Sequence, residues 1–326
     1  MTRRRMALQT LATVGTLGAW SQGQAATFPD RPIRLVVPFA PGAGTDAVGR
    51  LVAAKLAEVL GQQVLVENRT GASGAIGAQA VAQSAPDGHT LLLAAAPFTT
   101  VAAAVPNAGY DALTQFVPVG MIAQGPLVWA VSDKLPVSTV QELVRHAKAR
   151  PGALNYGSAG VGGINHLVLE LFKLRTGTFI THIPYRGIAP ATVDAIAGEI
   201  HMLTGTIPAL APYLREGRLK ALAVTGMRRS PALPQVPTMA EAGLKGFNVL
   251  NYFGLVAPRG TPVTVVDHLN AALARVLDMP EVRERLGRDA VEPAPGSPAQ
   301  LGQFLKTDVE AWASVVKRQG LKIDPF

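Results

Sequence analysis

Ile33-Arg34-Leu35-Val36-Val37-Pro38-Phe39-Ala40-Pro41-Gly42-Ala43-Gly44-Thr45-Asp46 is the stretch from which the fold can be read. Ile33, Leu35, Val36, Val37 and Phe39 form a short apolar run of the kind buried in a sheet. Pro38 and Pro41 remove ladder donors and end the strand. Gly42 and Gly44 permit a tight turn, and Thr45 or Asp46 can cap the helix that follows. In that helix Val48, Leu51, Val52, Leu56, Val59 and Leu60 recur at i, i+3, i+4 spacing, an apolar stripe with a polar back. A strand that passes through a glycine turn into a helix leaves the N–H groups of the first turn facing outward, where an anion is favoured.

The same order recurs along the chain. Residues 63–67 read as a second strand, 68–74 as a turn, and Ile76, Ala80 and Val81 as the inner face of a second helix. Pro86-Asp87-Gly88 is a turn before a strand at 89–94, and 95–105 read as a loop with a short helix. Residues 117–123 and 127–131 read as two strands separated by Gln124-Gly125-Pro126. A helix started by Ser138 or Thr139 stops at Pro151-Gly152. Leu154-Asn155-Tyr156 then leads into a second glycine-rich turn, Gly157-Ser158-Ala159-Gly160-Val161-Gly162-Gly163, and a helix with Ile164, Leu167, Val168, Leu171 and Phe172 in register. A strand at 179–184 runs through Tyr185-Arg186-Gly187 into another helix. Strands at 199–203 and 219–225 flank a helix at 208–214. Residues 247–257 are extended and suit a return to the first domain. The helix 263–277 ends at Pro280, and Ser297-Pro298-Ala299-Gln300 is a capping box that opens the last helix. Strands alternating with helices predict parallel α/β sheets, and 326 residues suffice for about two domains.

Composition narrows the function. Hydrophobic residues make up 48% and the mean hydropathy is +0.24, as a well-buried globular chain requires. With no cysteine, disulfides, thiolate metal sites and a cysteine nucleophile are excluded. Setting aside Arg3, Arg4 and Arg5 lowers the formal charge from +8 to +5. The remaining basic residues are scattered without interleaved aromatics, which argues against nucleic acid. Those three arginines precede an apolar run from Met6 to Trp20 and then Ser21-Gln22-Gly23-Gln24-Ala25-Ala26, the order of a cleavable export signal. Thr2-Arg3-Arg4-Arg5-Met6 also resembles a twin-arginine signal, with Met6 in place of the usual aromatic. We therefore expect residues 1–26 to be a leader and the mature chain to lie outside the cytoplasm.

Gly42-Ala43-Gly44-Thr45-Asp46-Ala47 fits the dinucleotide fingerprint G-x-G-x-x-A, and Glu67 stands where a ribose-binding acid belongs. The extra loop Phe39-Ala40-Pro41 and an exported location both oppose that reading. Gly157-Ser158-Ala159-Gly160 lacks the first glycine of a nucleophile elbow, since Tyr156 stands there. The six histidines show no metal-ligand spacing, so neither a metal nor another cofactor is expected. Nothing in the pattern calls for catalysis.

Taken together the motifs closely resemble one family. P-F-A-P-G-A-G-T-D (38–46), V-E-N-R-T-G-A-S-G-A-I-G (66–77), A-P-D-G-H-T-L-L-L (85–93), Y-G-S-A-G-V-G-G (156–163) and I-P-Y-R-G (183–187) occur in order. R-S-P-A-L-P-Q-V-P-T-M-A-E-A-G (229–243) and F-G-L-V-A-P-R-G-T-P (253–262) follow them. The set resembles the Bug/TctC family, the periplasmic solute receptors of tripartite tricarboxylate transporters. That resemblance implies a two-domain periplasmic binding-protein fold, type II-like, with a ligand cleft between two parallel-sheet lobes. It implies domains at 27–123 plus 252–326 and at 124–251. A monomer that binds a small organic carboxylate and hands it to a membrane permease is expected, with presentation to a sensor kinase as the alternative. Carried to matching positions, the ligand residues are Phe39, Ala40, Pro41, Gly42, Ala43, Gly44, Thr45 and Asp46 in one domain. In the other they are Ser158, Ala159, Gly160, Val161, Gly162, Gly163, His166, Tyr185, Arg186, Gly187 and Gly205. Gly205 replaces the family's usual aspartate, and Gly163 stands where serine is common, so the ligand's identity does not transfer.

Overall fold

The computed structural model describes residues 28–42 and 44–323; the expected leader and the expected ligand residue Ala43 lie outside them. Strand β1 (Ile33–Val37) leads into helix α1 (Gly44–Leu60), β2 (Val64–Asn68) into a single 3-10 turn (Ala72–Gly74) and α2 (Ala75–Ala82), and β3 (Thr90–Ala95) into α3 (Pro97–Ala104). All three strands run parallel, with Leu35 opposite Val66 and Leu91. Leu35 and Val37 pack towards Val48, Val52 and Leu56 of α1, whereas Val36 packs towards Val81 and Val101 of α2 and α3. Helices therefore cover both faces, which is why this strand is an unbroken apolar run rather than an alternating one. Burying a side chain such as Leu35 contributes about 1.5–3 kcal/mol.

The next strand, β4 (Phe116–Ser132), is 17 residues long. After it come α4 (Val140–Ala149), β5 (Asn155–Ser158), α5 (Ile164–Thr176), β6 (Thr181–Pro184), α6 (Ile188–Ala197), β7 (Met202–Thr206), α7 (Ile207–Arg215) and β8 (Leu219–Val224). β5 lies parallel to both β6 and β7, and β4 lies antiparallel to β7 and β8. The chain then returns through β9 (Leu250–Pro258), α8 (Val263–Asp278), α9 (Pro280–Arg288), β10 (Glu292–Pro293) and α10 (Pro298–Gln319). β9 inserts antiparallel between β3 and β4, giving the strand order β2-β1-β3-β9-β4-β7-β5-β6. The fold is thus α/β with two lobes, each built on parallel strands and joined through the antiparallel pair β4 and β9. Among the described residues no helix is long and apolar enough to cross a membrane.

Three local expectations change. Gln124-Gly125-Pro126 does not break the strand: it pairs with Tyr252, Asn251 and Leu250 inside β4. Gly125 is there because a Cβ would lie 2.5 Å from the Ala290 carbonyl and 2.7 Å from Val291, where the segment after α9 crosses the strand. Pro280 ends α8, as expected, but also occupies the first position of α9, a helix absent from the sequence reading. β7 sits later than expected, so Thr204 and Gly205 lie within a strand.

Candidate functional site

Six strands, β1, β2 and β3 in one lobe and β5, β6 and β7 in the other, each run from their C-terminal ends into the start of a helix. In open α/β sheets ligands bind outside those ends. The two sets of loops meet. Ser73 Oγ, after β2, donates to the Val161 carbonyl, after β5, at 3.3 Å. Gly162 lies so close to α3 that a Cβ there would come within 2.8 Å of Val105.

In the first lobe the loop after β1 is tied from within. Asp46 is 3% exposed and accepts hydrogen bonds from Gly42 N (2.9 Å), Arg50 Nε (2.9 Å) and Asn68 Nδ2 (2.8 Å). Asn68 Nδ2 also donates to the Phe39 carbonyl at 2.9 Å, so the end of β2 holds both ends of the loop. Burial works against the Asp46 charge, but the bonds from Arg50, Asn68 and Gly42 outweigh it and hold the carboxyl below its usual range. The carboxylate shapes the loop. Ala40, Pro41, Gly42 and Gly44 are exposed, and Thr45 is half-buried, as is Phe39, whose ring lies against Gly74. Ser73 was not among the expected ligand residues. Its signal in the sequence is the bracketing by Gly71 and Gly74: the backbone turns left-handed from Gly71 to Gly74, with φ of 48° at Ala72 and 51° at Ser73.

The second lobe supplies three helix starts. α5 and α6 begin after Gly163 and Gly187, which have no side chain to cap them, and Thr206 makes no side-chain cap to α7. By contrast, α4 is capped by Thr139 and α10 by the expected Ser297–Gln300 box, both away from the cleft. At α5 the His166 N–H bonds back to the Gly163 carbonyl at 3.0 Å, and at α6 Pro190 has no N–H, so among the described residues the unpartnered first-turn donors are those of Ile164 and Asn165 and of Ile188 and Ala189. Gly160 (φ 140°) and Gly162 (φ 74°) take backbone conformations that a side chain would strain. Ala159, Gly160 and Val161 are half-buried and Gly163 is buried.

Beneath this loop is a polar layer. Ser158 is fully buried, with Oγ 3.0 Å from the Gly160 carbonyl and 2.7 Å from His182 Nε2. His166, 4% exposed, accepts from Gly162 N through Nδ1 at 3.1 Å. Tyr185 donates to Asp194 Oδ2 at 2.7 Å, and burial together with that carboxylate pushes its hydroxyl up to about 12. Arg186 is exposed and, among the described residues, forms no ion pair. Gly205 is buried within β7, where a Cβ would lie 2.9 Å from a Leu210 methyl, so the aspartate expected there from relatives would require the Leu210 side chain to move. Its neighbour Thr204 instead accepts from Asn165 Nδ2 through its carbonyl at 2.7 Å, linking β7 to the first turn of α5.

Among the described residues no group of histidine and acidic side chains is placed to hold a metal. A cavity of about 690 Å³ between α4, β8 and the 233–242 segment, and one of about 350 Å³ beside Pro126 and Leu250, are lined by none of these loops.

The chain matches a family model described as the tripartite tricarboxylate transporter family receptor over residues 48–321. It is 38% identical to protein BugT of Bordetella pertussis over 312 residues, 95% of this chain and 96% of BugT. Rpa4515 of R. palustris, solved with adipate, is 38% identical with a TM-score of 0.83, covering 90% of this chain and 98% of that one. MatC from Rhodopseudomonas palustris, solved with bound malate, is 35% identical with a TM-score of 0.81, covering 89% and 100%.

Proposed function

The chain belongs to the tripartite tricarboxylate transporter receptor family, and from that premise we propose that it captures a small organic carboxylate in the periplasm and delivers it to a membrane permease. The observation that carries this reading is the Ser73–Val161 contact, which brings together the loops before α2 and α5, one from each lobe and neither with a side-chain cap on its helix. Each start offers N–H donors and a partial positive charge to a negative group. Hydrogen bonds to a charged group are worth roughly 1.5–3 kcal/mol each, and micromolar binding requires only about 8 kcal/mol. A few backbone donors suffice even after association costs reduce the sum. Ligand contacts made only when the lobes are together bias the hinge towards closure, and the closed form is what a permease would read. Support for a carboxylate also comes from the adipate and malate bound by the two relatives. The site residues proposed are the loops 39–46, 158–163 and 185–187, with Ser73 added.

The test is a thermal-shift panel of adipate, malate, their diamides and a neutral sugar, followed by calorimetry. Carboxylates should raise the melting temperature and the diamides should not. The best response coming from the sugar would remove the reading.

A further inference from the structure

Two stacked imidazoles lie under the glycine-rich loop that follows β5. His166 of α5 and His182 of β6 have ring centroids 3.9 Å apart and planes within 10° of parallel, and Tyr156 of β5 stacks on His182 at 4.9 Å. Their partners fix their protons. The Gly162 N–H can only donate, so His166 Nδ1 carries a lone pair and its proton sits on Nε2. The Gly160 carbonyl can only accept, so Ser158 gives its hydroxyl proton there and receives one from His182 Nε2–H. The two rings therefore respond differently to a further proton. His182 would take it on Nδ1 and keep its bond to Ser158. His166 would take it on Nδ1 and set N–H against N–H at Gly162.

We propose that His166 is a positioning residue: its unprotonated Nδ1 holds Gly162, and with it the start of α5, in the shape that meets the ligand, and a proton there releases the loop. The titratable groups facing it are Glu170 and Lys173 of the same helix, Tyr156 and His182, while α10 contributes the uncharged Gln319. Glu170 is the opposite charge nearest His166, but it is shared with other donors. Its Oε1 already accepts from Tyr156 (2.6 Å) and Lys173 (2.7 Å), and lies 3.9 Å from His166 Nε2. Burial, with the Lys173 charge adding to it, brings the imidazole down to about 4, so the accepting form prevails at neutral pH.

The role of the loop rests on the carboxylate reading above; its geometry does not. Imidazole nitrogen shifts of the isotope-labelled full chain report the tautomer, hydrogen exchange reports the Gly162 amide, and calorimetry with adipate reports binding. His166 should be the Nε2–H tautomer. His166→Phe, which keeps a ring but no acceptor, should speed Gly162 exchange about tenfold, the ratio of one ordinary hydrogen bond. His166→Asn, whose Oδ1 can take the place of Nδ1, should restore protection and keep it at about pH 4, where the wild type loses it. An Nδ1–H tautomer in the wild type, or unchanged Gly162 exchange in His166→Phe, overturns the proposal. Should His166→Phe fail to fold, the tautomer and the Asn variant still decide. If adipate binds to no form, wild type included, the adipate arm fails while the exchange result on the loop stands.

Discussion

Replacing Gly160 with alanine separates two effects that are usually entangled. Gly160 has φ 140° and faces Ser73 across the cleft, where a new Cβ would lie 2.7 Å from Ser73 Oγ. The backbone strain, roughly 1–3 kcal/mol for such a conformation, is present whether the lobes are together or apart. It lowers stability without touching affinity. The Ser73–Val161 contact exists only when the lobes meet, so its disruption falls on binding. One neutral hydrogen bond of about 0.5–1.5 kcal/mol corresponds to a two- to twelvefold loss of affinity, roughly. The expected result is a lower urea midpoint together with about fivefold weaker adipate binding by calorimetry. Ser73→Ala removes the same bond and the crowding atom. In that background Gly160→Ala should still lower the midpoint but cost little further affinity, a coupling that the double-mutant cycle reads directly. Equal affinity losses in both backgrounds would refute the assignment of Ser73 as the cross-lobe contact.

Arg186→Ala should weaken adipate binding by less than about tenfold, because the side chain is exposed and unpaired among the described residues; loss of all calorimetric signal would make it the anchor instead. Asp46→Ala should destabilise the chain by roughly 2–4 kcal/mol in urea unfolding, since three donors on and beside the first loop lose their acceptor. A value below about 0.5 kcal/mol would contradict that role. Gly125→Val should cost at least about 1–3 kcal/mol, because the backbone of Ala290 fills the space, and an unchanged midpoint would show that β4 is not crossed there. His166 is held at about 4 against 6.5 unperturbed by burial and then Lys173, so between those values the unfolded chain binds a proton that the folded chain does not. Stability should be complete above about pH 6.5 and fall as pH drops towards 4, with a shallower fall in His166→Asn; identical pH profiles would exclude this source.

How much was legible depends on the range of the physics. Strands, helix starts and the two glycine-rich loops are local: proline, glycine and apolar spacing fix β1, α1, α5 and the Ser297 cap with no knowledge of the rest of the fold. Gly125 looked like a break because its constraint comes from Ala290, far along the chain. Gly205 was noticed as a departure, yet its contact with the Leu210 side chain appears only in the packing. Asp46 left two roles open, a helix cap or a ligand contact; α1 begins before it, at Gly44, and its carboxylate is taken up by Gly42, Arg50 and Asn68 in place of a first-turn N–H. Ser73 and His182 were missed for the same reason, since each acts through a partner on another strand or another lobe.

The insertion of β9 between β3 and β4 also constrains the order of assembly. Phe253 pairs with Ala95 on one side and Ala123 on the other, so the central ladder of the first lobe waits for a segment that follows the whole second lobe. Strands β5 to β8 and their helices lie within one continuous span and can assemble before it arrives. Until then β3 and β4 each present an unpaired edge, the kind of surface that recruits other chains. Closing so long a span is slow for reasons of chain entropy. A chain shortened to end at Val249 would therefore build half a receptor and aggregate through the gap.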